Sequence, residues 1–400
     1  MKKTLLLSLI AFCLFSCYQK QATEQTLTPV RPITDANATR ETVALYNRLD
    51  ALLNIGIMLG HQDALTYGMA GGGWHNELGR SDVKESTGKY PALFGYEIGH
   101  LEVGAEYSLD SVYFKDIKRC VREAWKMGGI NIISWHGNNP ATYYLPDEEK
   151  NYASAGTSWD TKGDAVQSIL PGGENHERFL GWLDILADYF LDFKDDSGTL
   201  IPIIFRPYHE HTGSWFWWGE KLCTPEEYIQ LWRMTVEYFR DVRNVHNLLY
   251  AYSSSWMKDE AHYLERYPGD EYVDMIGYDS YANYEGQKYN PETDYQTIED
   301  YKYNMRNFLD IITGYAAKTG KIPAITETGM EGFEYEHYFT DALYDVIKDY
   351  KVSFFHFWRN SPYKARHYYA GYPGALHEED FIAFVNMPGI LMLDDIKDIK

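Results

Sequence analysis

Eight short apolar runs, separated by segments with helical periodicity, constrain this chain more than any other feature. The runs span residues 55–60, 92–96, 130–135, 201–206, 248–252, 273–278, 322–326 and 352–357. They are rich in β-branched and aromatic residues and nearly continuous in apolar character, as strands buried on both faces require. The intervening segments include 111–127, 177–192, 224–240, 297–318 and 338–350. They carry apolar residues three and four apart, for example Phe179, Leu183, Leu186 and Phe190. Thr224-Pro225-Glu226-Glu227 reads as a helix start, with an N-cap residue, proline at the first position and acids against the positive dipole end. Eight strands alternating with helices predict an α/β fold, a (β/α)8 TIM barrel in a single catalytic domain. An open doubly wound sheet is the alternative, but Gly71-Gly72-Gly73 lacks the dinucleotide fingerprint of that fold. The linkers after the second, third and fourth runs are long, and in a barrel such loops wall the mouth.

Two carboxylates occupy positions where a barrel places its chemistry, at the C-terminal ends of strands. Glu210 follows the fourth run in Arg206-Pro207-Tyr208-His209-Glu210, and Glu327 closes the seventh in Ile325-Thr326-Glu327-Thr328-Gly329. Glycosidic cleavage uses such a pair. One carboxyl is protonated to release the leaving oxygen, and the other is ionised. Carboxyl groups about 5–5.5 Å apart allow direct attack on the sugar and retention, while about 6.5–9.5 Å leaves room for water and inversion. One glutamate at a strand end also reads as a structural ion pair; the second at a facing strand end is what points to catalysis.

The surroundings agree. Trp215-Phe216-Trp217-Trp218-Gly219 follows Glu210 closely and is expected to give an exposed aromatic floor for sugar rings, core packing being the alternative for one or two of them. His136 lies past the third run in Ser134-Trp135-His136-Gly137-Asn138-Asn139-Pro140, where its imidazole and the following amides can take hydroxyls. Asp274 and Asp279-Ser280-Tyr281 surround the sixth run, and a tyrosine there can orient the nucleophile by hydrogen bond. Trp358 ends the eighth run as a platform for the cleaved sugar. His209, Glu210 and His211 invite a metal reading, but the spacing is not the helical H-E-x-x-H and Pro207 argues against a helix. Neither metal nor cofactor is expected.

Composition narrows the partners. With 37 basic and 58 acidic residues the net charge is −21, which repels phosphate backbones and disfavours nucleic acid. Aromatic residues make up 16% of the chain, including 11 Trp and 35 Tyr, a supply suited to pyranose stacking. Lys2 and Lys3 precede an apolar run of about 12 residues, too short to span a bilayer and fitting a signal peptide. It ends Leu14-Phe15-Ser16-Cys17, so residues 1–17 read as a lipoprotein signal with Cys17 lipidated, residues 18–38 as a flexible tether and residues 39–400 as the barrel. The membrane contact expected is that lipid alone. Cys120 and Cys223 remain in the folded part, bonded or free.

These motifs resemble glycoside hydrolase family 26, a barrel family dominated by β-mannanases. The carrying stretches are residues 206–219 and 325–329, supported by 134–140, 156–160, 274–281 and 357–360, in the family's order. The resemblance implies a retaining double displacement without cofactor, with Glu210 as acid/base and Glu327 as nucleophile. It implies His209 against the 2-hydroxyl of the −1 sugar or the nucleophile, Tyr281 on the nucleophile, and His136 lining the −1 subsite. It places Trp215 and Trp358 around the −1 sugar, Trp159 near the +1 site, and counts Arg206 among the substrate-binding residues. The substrate implied is β-mannan or manno-oligosaccharide, cut internally or released as mannobiose from chain ends. A β-1,3-xylanase, a mixed-linkage glucanase and a glycan-binding lipoprotein without turnover are the alternatives. A lipoprotein signal on such a hydrolase resembles the glycan degraders of Gram-negative bacteria such as Bacteroides. Export to the outer membrane follows, facing the periplasm or the cell surface.

Overall fold

The computed structural model describes residues 27–283 and 297–399. The expected signal peptide and Cys17 lie outside the described residues. Eight parallel strands close into a barrel: β1 (Ile57–Gln62), β2 (Leu93–Glu97), β3 (Ile130–Trp135), β4 (Ile203–Pro207), β5 (Leu248–Ser254), β6 (Met275–Tyr281), β7 (Ile322–Gly329) and β8 (Phe354–Phe357). Each pairs with its sequence neighbour, and β8 returns to β1 through Met58–Phe354 to His61–Phe357. The closure excludes the open doubly wound sheet. A two-residue strand, Ile390–Leu391, adds to the start of β1.

The barrel interior is divided along its axis. Helix α1 (Arg40–Leu52) sends Leu45, Tyr46, Leu49 and Leu52 beneath the strand starts. There they pack in one cluster with Met58, Leu93, Ile130, Ile204, Leu249, Met275, Ile322 and Phe354. Two residues further along each strand the same face recurs. Those inward positions become Arg206 above Ile204, Ser253 above Ala251, Thr326 above Ala324 and His356 above Phe354. An apolar plug therefore closes one end and polar groups fill the other. Glycine makes the space for them: a Cβ at Gly95 would overlap the His356 ring and Gln62 Oε1. The outer apolar layer lies between strands and helices, where Phe179, Leu183, Leu186 and Phe190 are all buried.

Two local expectations change. The tether ends before residue 38: Thr34 donates its amide to Asp274 at 2.7 Å, and Asp35 takes His246 Nδ1 at 2.7 Å, so residues 34 and 35 are buried against the base of the barrel. The segment 338–350 is not one regular helix. It begins as a wide π turn, Tyr338–Leu343, and only Tyr344–Ile347 is α-helical. Asp380 binds its first turn, accepting from Phe339 N at 2.8 Å. At residue 224 the expected helix start forms and closes as a capping box, Thr224 Oγ1 accepting from Glu227 N and Glu227 accepting from Thr224 N. Among the described residues no helix is long and apolar enough to cross a membrane.

Candidate active site

The polar end of the barrel holds both predicted carboxylates, and the backbone is bent to present them. β4 stops at Pro207, after which Tyr208 and Glu210 take φ of 47° and 53°. Non-glycine residues adopt this left-handed region rarely, and it persists where surroundings over-determine it. Here Tyr228 OH donates to Tyr208 O at 2.8 Å, Trp218 Nε1 to His209 O at 2.7 Å, and Glu210 N to Ser253 O at 3.0 Å.

Glu327 is delivered by a β-bulge. Tyr278 and Asp279 on β6 face Ile325 and Glu327 on β7, leaving Thr326 as the extra residue, and the same shift occurs against β8. Thr326 points inward and bonds Asp279 Oδ1 at 2.6 Å. Strict alternation would turn the next residue outward. The bulge resets the phase and re-aims Glu327 into the mouth.

One carboxylate oxygen each from Glu210, Glu327 and Asp279 lie within 4.8 Å of one another. That spacing belongs with direct attack and lies short of the separation that admits a water between two carboxyls. The buried Arg206 guanidinium sits beneath, donating to Asp279 Oδ2 at 2.8 Å and to Glu327 Oε1. Tyr281 OH donates to Glu327 Oε2 at 2.6 Å, so both oxygens of Glu327 accept hydrogen bonds. Glu210 has a different environment. Trp215 Nε1 donates to its Oε2 at 2.6 Å, but burial, then the charges of Asp279 and Glu327, raise its pKa well above the usual carboxylate value. Burial likewise raises Asp279, to about 7, against the lowering effect of Arg206. The arrangement thus favours a neutral acid facing a hydrogen-bonded carboxylate. Three converging carboxylates can also attract a cation. Here a fixed guanidinium already bridges two of them, and a metal would have to sit against that charge.

A second network lines the mouth beside the first. His136 Nδ1 meets Glu97 Oε2 at 2.7 Å, and its Nε2 meets His209 Nε2 at 3.0 Å. Glu97, fully buried at the end of β2, also accepts from His136 N at 2.8 Å and Ser134 Oγ at 2.7 Å. Burial works against the charged form of His136, but Glu97 outweighs it and the imidazole pKa rises. Burial, then Arg206 and His136, lower His209, which therefore accepts from its neighbour. Trp159 stacks on His136 with ring centroids 5.5 Å apart and planes 17° apart, and the half-buried Trp358 lies 6.2 Å from the same ring. Trp159 is set by Asp160, which accepts from Thr142 Oγ1, Tyr152 OH and Gly156 N and so folds the long loop after β3.

The nine residues expected to be catalytic or substrate-binding, Glu210, Glu327, His136, Trp159, Arg206, His209, Trp215, Tyr281 and Trp358, gather at this mouth. Two other expectations change, for the aromatic stretch and for Asp274, and two open points are settled, for His211 and the cysteines. Of the aromatic stretch after Glu210, only Trp215 is exposed; Phe216, Trp217 and Trp218 are buried, the two indoles donating to Gly137 O and His209 O. His211 turns away and packs between Tyr228 and Tyr252. Asp274 precedes β6 and serves the opposite end, accepting from Thr34 N and Tyr250 N. Cys120 and Cys223 are free thiols. Glu97 went unrecognised, although it ends an apolar strand run as Glu327 does.

The sequence profile of glycosyl hydrolase family 26 matches residues 34–359, most of the chain. The chain belongs to glycosyl hydrolase family 26. A β-mannanase of the family from Bacteroides ovatus superposes with a TM-score of 0.80 at 40% identity, covering 89% of this chain and 96% of that one. A modular endo-β-1,4-mannanase from Cellulomonas fimi superposes with a TM-score of 0.77 at 32% identity, over 91% of this chain and 78% of that one. A mannan endo-1,4-β-mannosidase from Bifidobacterium adolescentis is 35% identical over 75% of this chain, which spans only 28% of that longer protein.

Proposed function

We propose that this protein is a retaining glycosidase that hydrolyses the β-1,4-mannosidic bonds of mannan. The observation that carries the reading is the approach of Glu210 and Glu327 within 4.8 Å across one pocket. Glu210, half-buried and with its pKa raised toward the protonated form, gives its proton to the glycosidic oxygen as the bond to the anomeric carbon breaks. Glu327 attacks that carbon and forms the glycosyl ester. Glu210, now ionised, takes a proton from water, which opens the ester and returns both groups to their starting states. Arg206 and Tyr281 hold Glu327 at the angle of attack, and the Glu97–His136–His209 chain fixes the imidazoles beside it. The preference for mannose rests on the relatives, which carry the name of mannan-cleaving enzymes.

Time-resolved product analysis on plain mannan and on galactomannan tests the reading. Shorter mannosides should appear on the first, with the β-anomer formed ahead of mutarotation. A ladder of sizes marks internal cutting, and mannobiose alone from the start marks release from chain ends. No turnover of mannan beside rapid cleavage of β-1,3-xylan or mixed-linkage glucan would reassign the substrate.

The N-terminal signal supports a lipid on Cys17 that holds the enzyme at the outer membrane, facing the periplasm or the outside. Cys17→Ala should move the protein from the membrane to the soluble fraction; unchanged membrane association would remove the anchor.

A further inference from the structure

Tryptophan is highly buried on average, and an exposed indole beside a cavity offers a face for a ligand. Of the 11 tryptophans, only Trp159, Trp215 and Trp256 are exposed. The first two flank His136 and Glu210 and belong to the site above. Trp256 is 48% exposed and has no part in that chemistry.

Its position ties it to Glu210 nonetheless. Trp256 follows β5, the strand beside β4 in the barrel. The preceding Ser255 donates its amide to Thr212 Oγ1 at 3.1 Å and shares a hydroxyl contact with it at 3.0 Å. Thr212 lies in the turn closed by Gly213 N on Glu210 O, so the loop bearing Trp256 is fastened to the turn bearing the acid. The indole is braced from one side by His262, with ring centroids 4.8 Å apart. His262 is itself fixed, its Nδ1 accepting from Lys258 N at 3.1 Å and its amide bonding Asp259 Oδ1 at 2.8 Å. Trp256 and Trp215 line one cavity with Glu210, and Ser280, Asn304 and Asn307 are among its other lining residues, beside Lys258, Asp259 and Asp310. Ring faces beside hydroxyl and amide groups are the chemistry of a pyranose, whose C–H face stacks while its hydroxyls hydrogen-bond.

Direction follows from the roles proposed above, on which this inference rests. The acid touches the oxygen that departs, so the cavity shared with Glu210 on the β5 side receives the departing portion of the chain. We propose that Trp256 is a stacking platform for a hexopyranose in the leaving-group half of the substrate, at the second sugar past the scissile bond. It is a specificity residue, with no hand in bond cleavage.

The test compares Trp256→Ala and Trp256→Phe with wild type on mannotetraose, mannohexaose and a dinitrophenyl β-mannobioside. In Trp256→Ala, kcat/KM on mannohexaose should fall about three- to tenfold, the size of one aromatic stacking contact. The aryl substrate should be unaffected, because its leaving group is a single ring and fills only the first position past the scissile bond. Trp256→Phe should recover most of the loss. An equal loss on the aryl substrate, or no loss at any length, overturns the proposal. Calorimetric titration of mannohexaose into Glu327→Ala, with and without Trp256→Ala, gives a second reading independent of turnover. If wild type cleaves no mannan, the hydrolase reading fails, while weaker binding with Trp256→Ala added still upholds the platform and equal binding refutes it.

Discussion

Glu327→Ala should lower turnover of every substrate by about 10⁴-fold or more, as loss of an enzymic nucleophile does. The reason is chemical: with the carboxylate gone, no glycosyl ester forms, and a good leaving group gives no relief because the missing step is attack on carbon. Mannan and aryl mannosides should therefore fail together. The fold should survive, because Arg206 keeps Asp279 at 2.8 Å and Ser253 Oγ at 3.2 Å, so the buried cation retains partners. Thermal unfolding checks this, and a midpoint near that of wild type alongside lost activity assigns the effect to chemistry. Activity above about a hundredth of wild type on either substrate class would remove Glu327 from the nucleophile's place.

The part of this molecule that local sequence can specify was legible, and the part that depends on distant partners was not. Parallel strands buried on both faces leave continuous apolar runs, so all eight strands could be counted and their ends located within three residues. Both carboxylates at β4 and β7 were then readable as strand-end groups. The bulge at Thr326 was not, because it exists only in register with β6 and β8, and register is a property of the assembled sheet. Without it, Thr326 and Glu327 cannot both face the pocket. The burial of Trp217 and Trp218 was hidden for a related reason: a loop has no period, so nothing local says which rings turn inward. Residues 34 and 35 looked like tether because their partners, Asp274 and His246, lie 240 and 211 positions away. Glu97 and Asp274 differ in kind. Glu97 ends its strand and Asp274 precedes its strand, and that placement alone assigns the first to the mouth and the second to the base.

Glu210→Ala should separate substrates that Glu327→Ala does not. Removing a general acid costs roughly 10²–10⁴-fold where the leaving group needs a proton. On mannan, whose leaving group is a sugar hydroxyl, the full loss is expected. On a dinitrophenyl mannobioside the oxygen departs without protonation, so the ester still forms. Its hydrolysis is then slow, because no base activates water, and a burst of phenolate followed by a slow steady rate should appear. Azide, which needs no base, should restore the steady rate and leave a β-mannosyl azide. The pH profile carries the same information with a definite sign. Wild-type glycosylation needs the protonated form of Glu210, so kcat/KM falls as pH rises through its pKa. Burial and the neighbouring carboxylates have moved that pKa upward, so the alkaline limb lies well above ordinary carboxylate titration. The variant has no such group, and its alkaline limb on the aryl substrate should flatten. Equal losses on both substrates, with the limb intact, would assign the proton to another group. Asp279 is then the nearest one with a raised pKa, and because Arg206 and Thr326 already hold its oxygens, it could deliver a proton only by breaking those bonds.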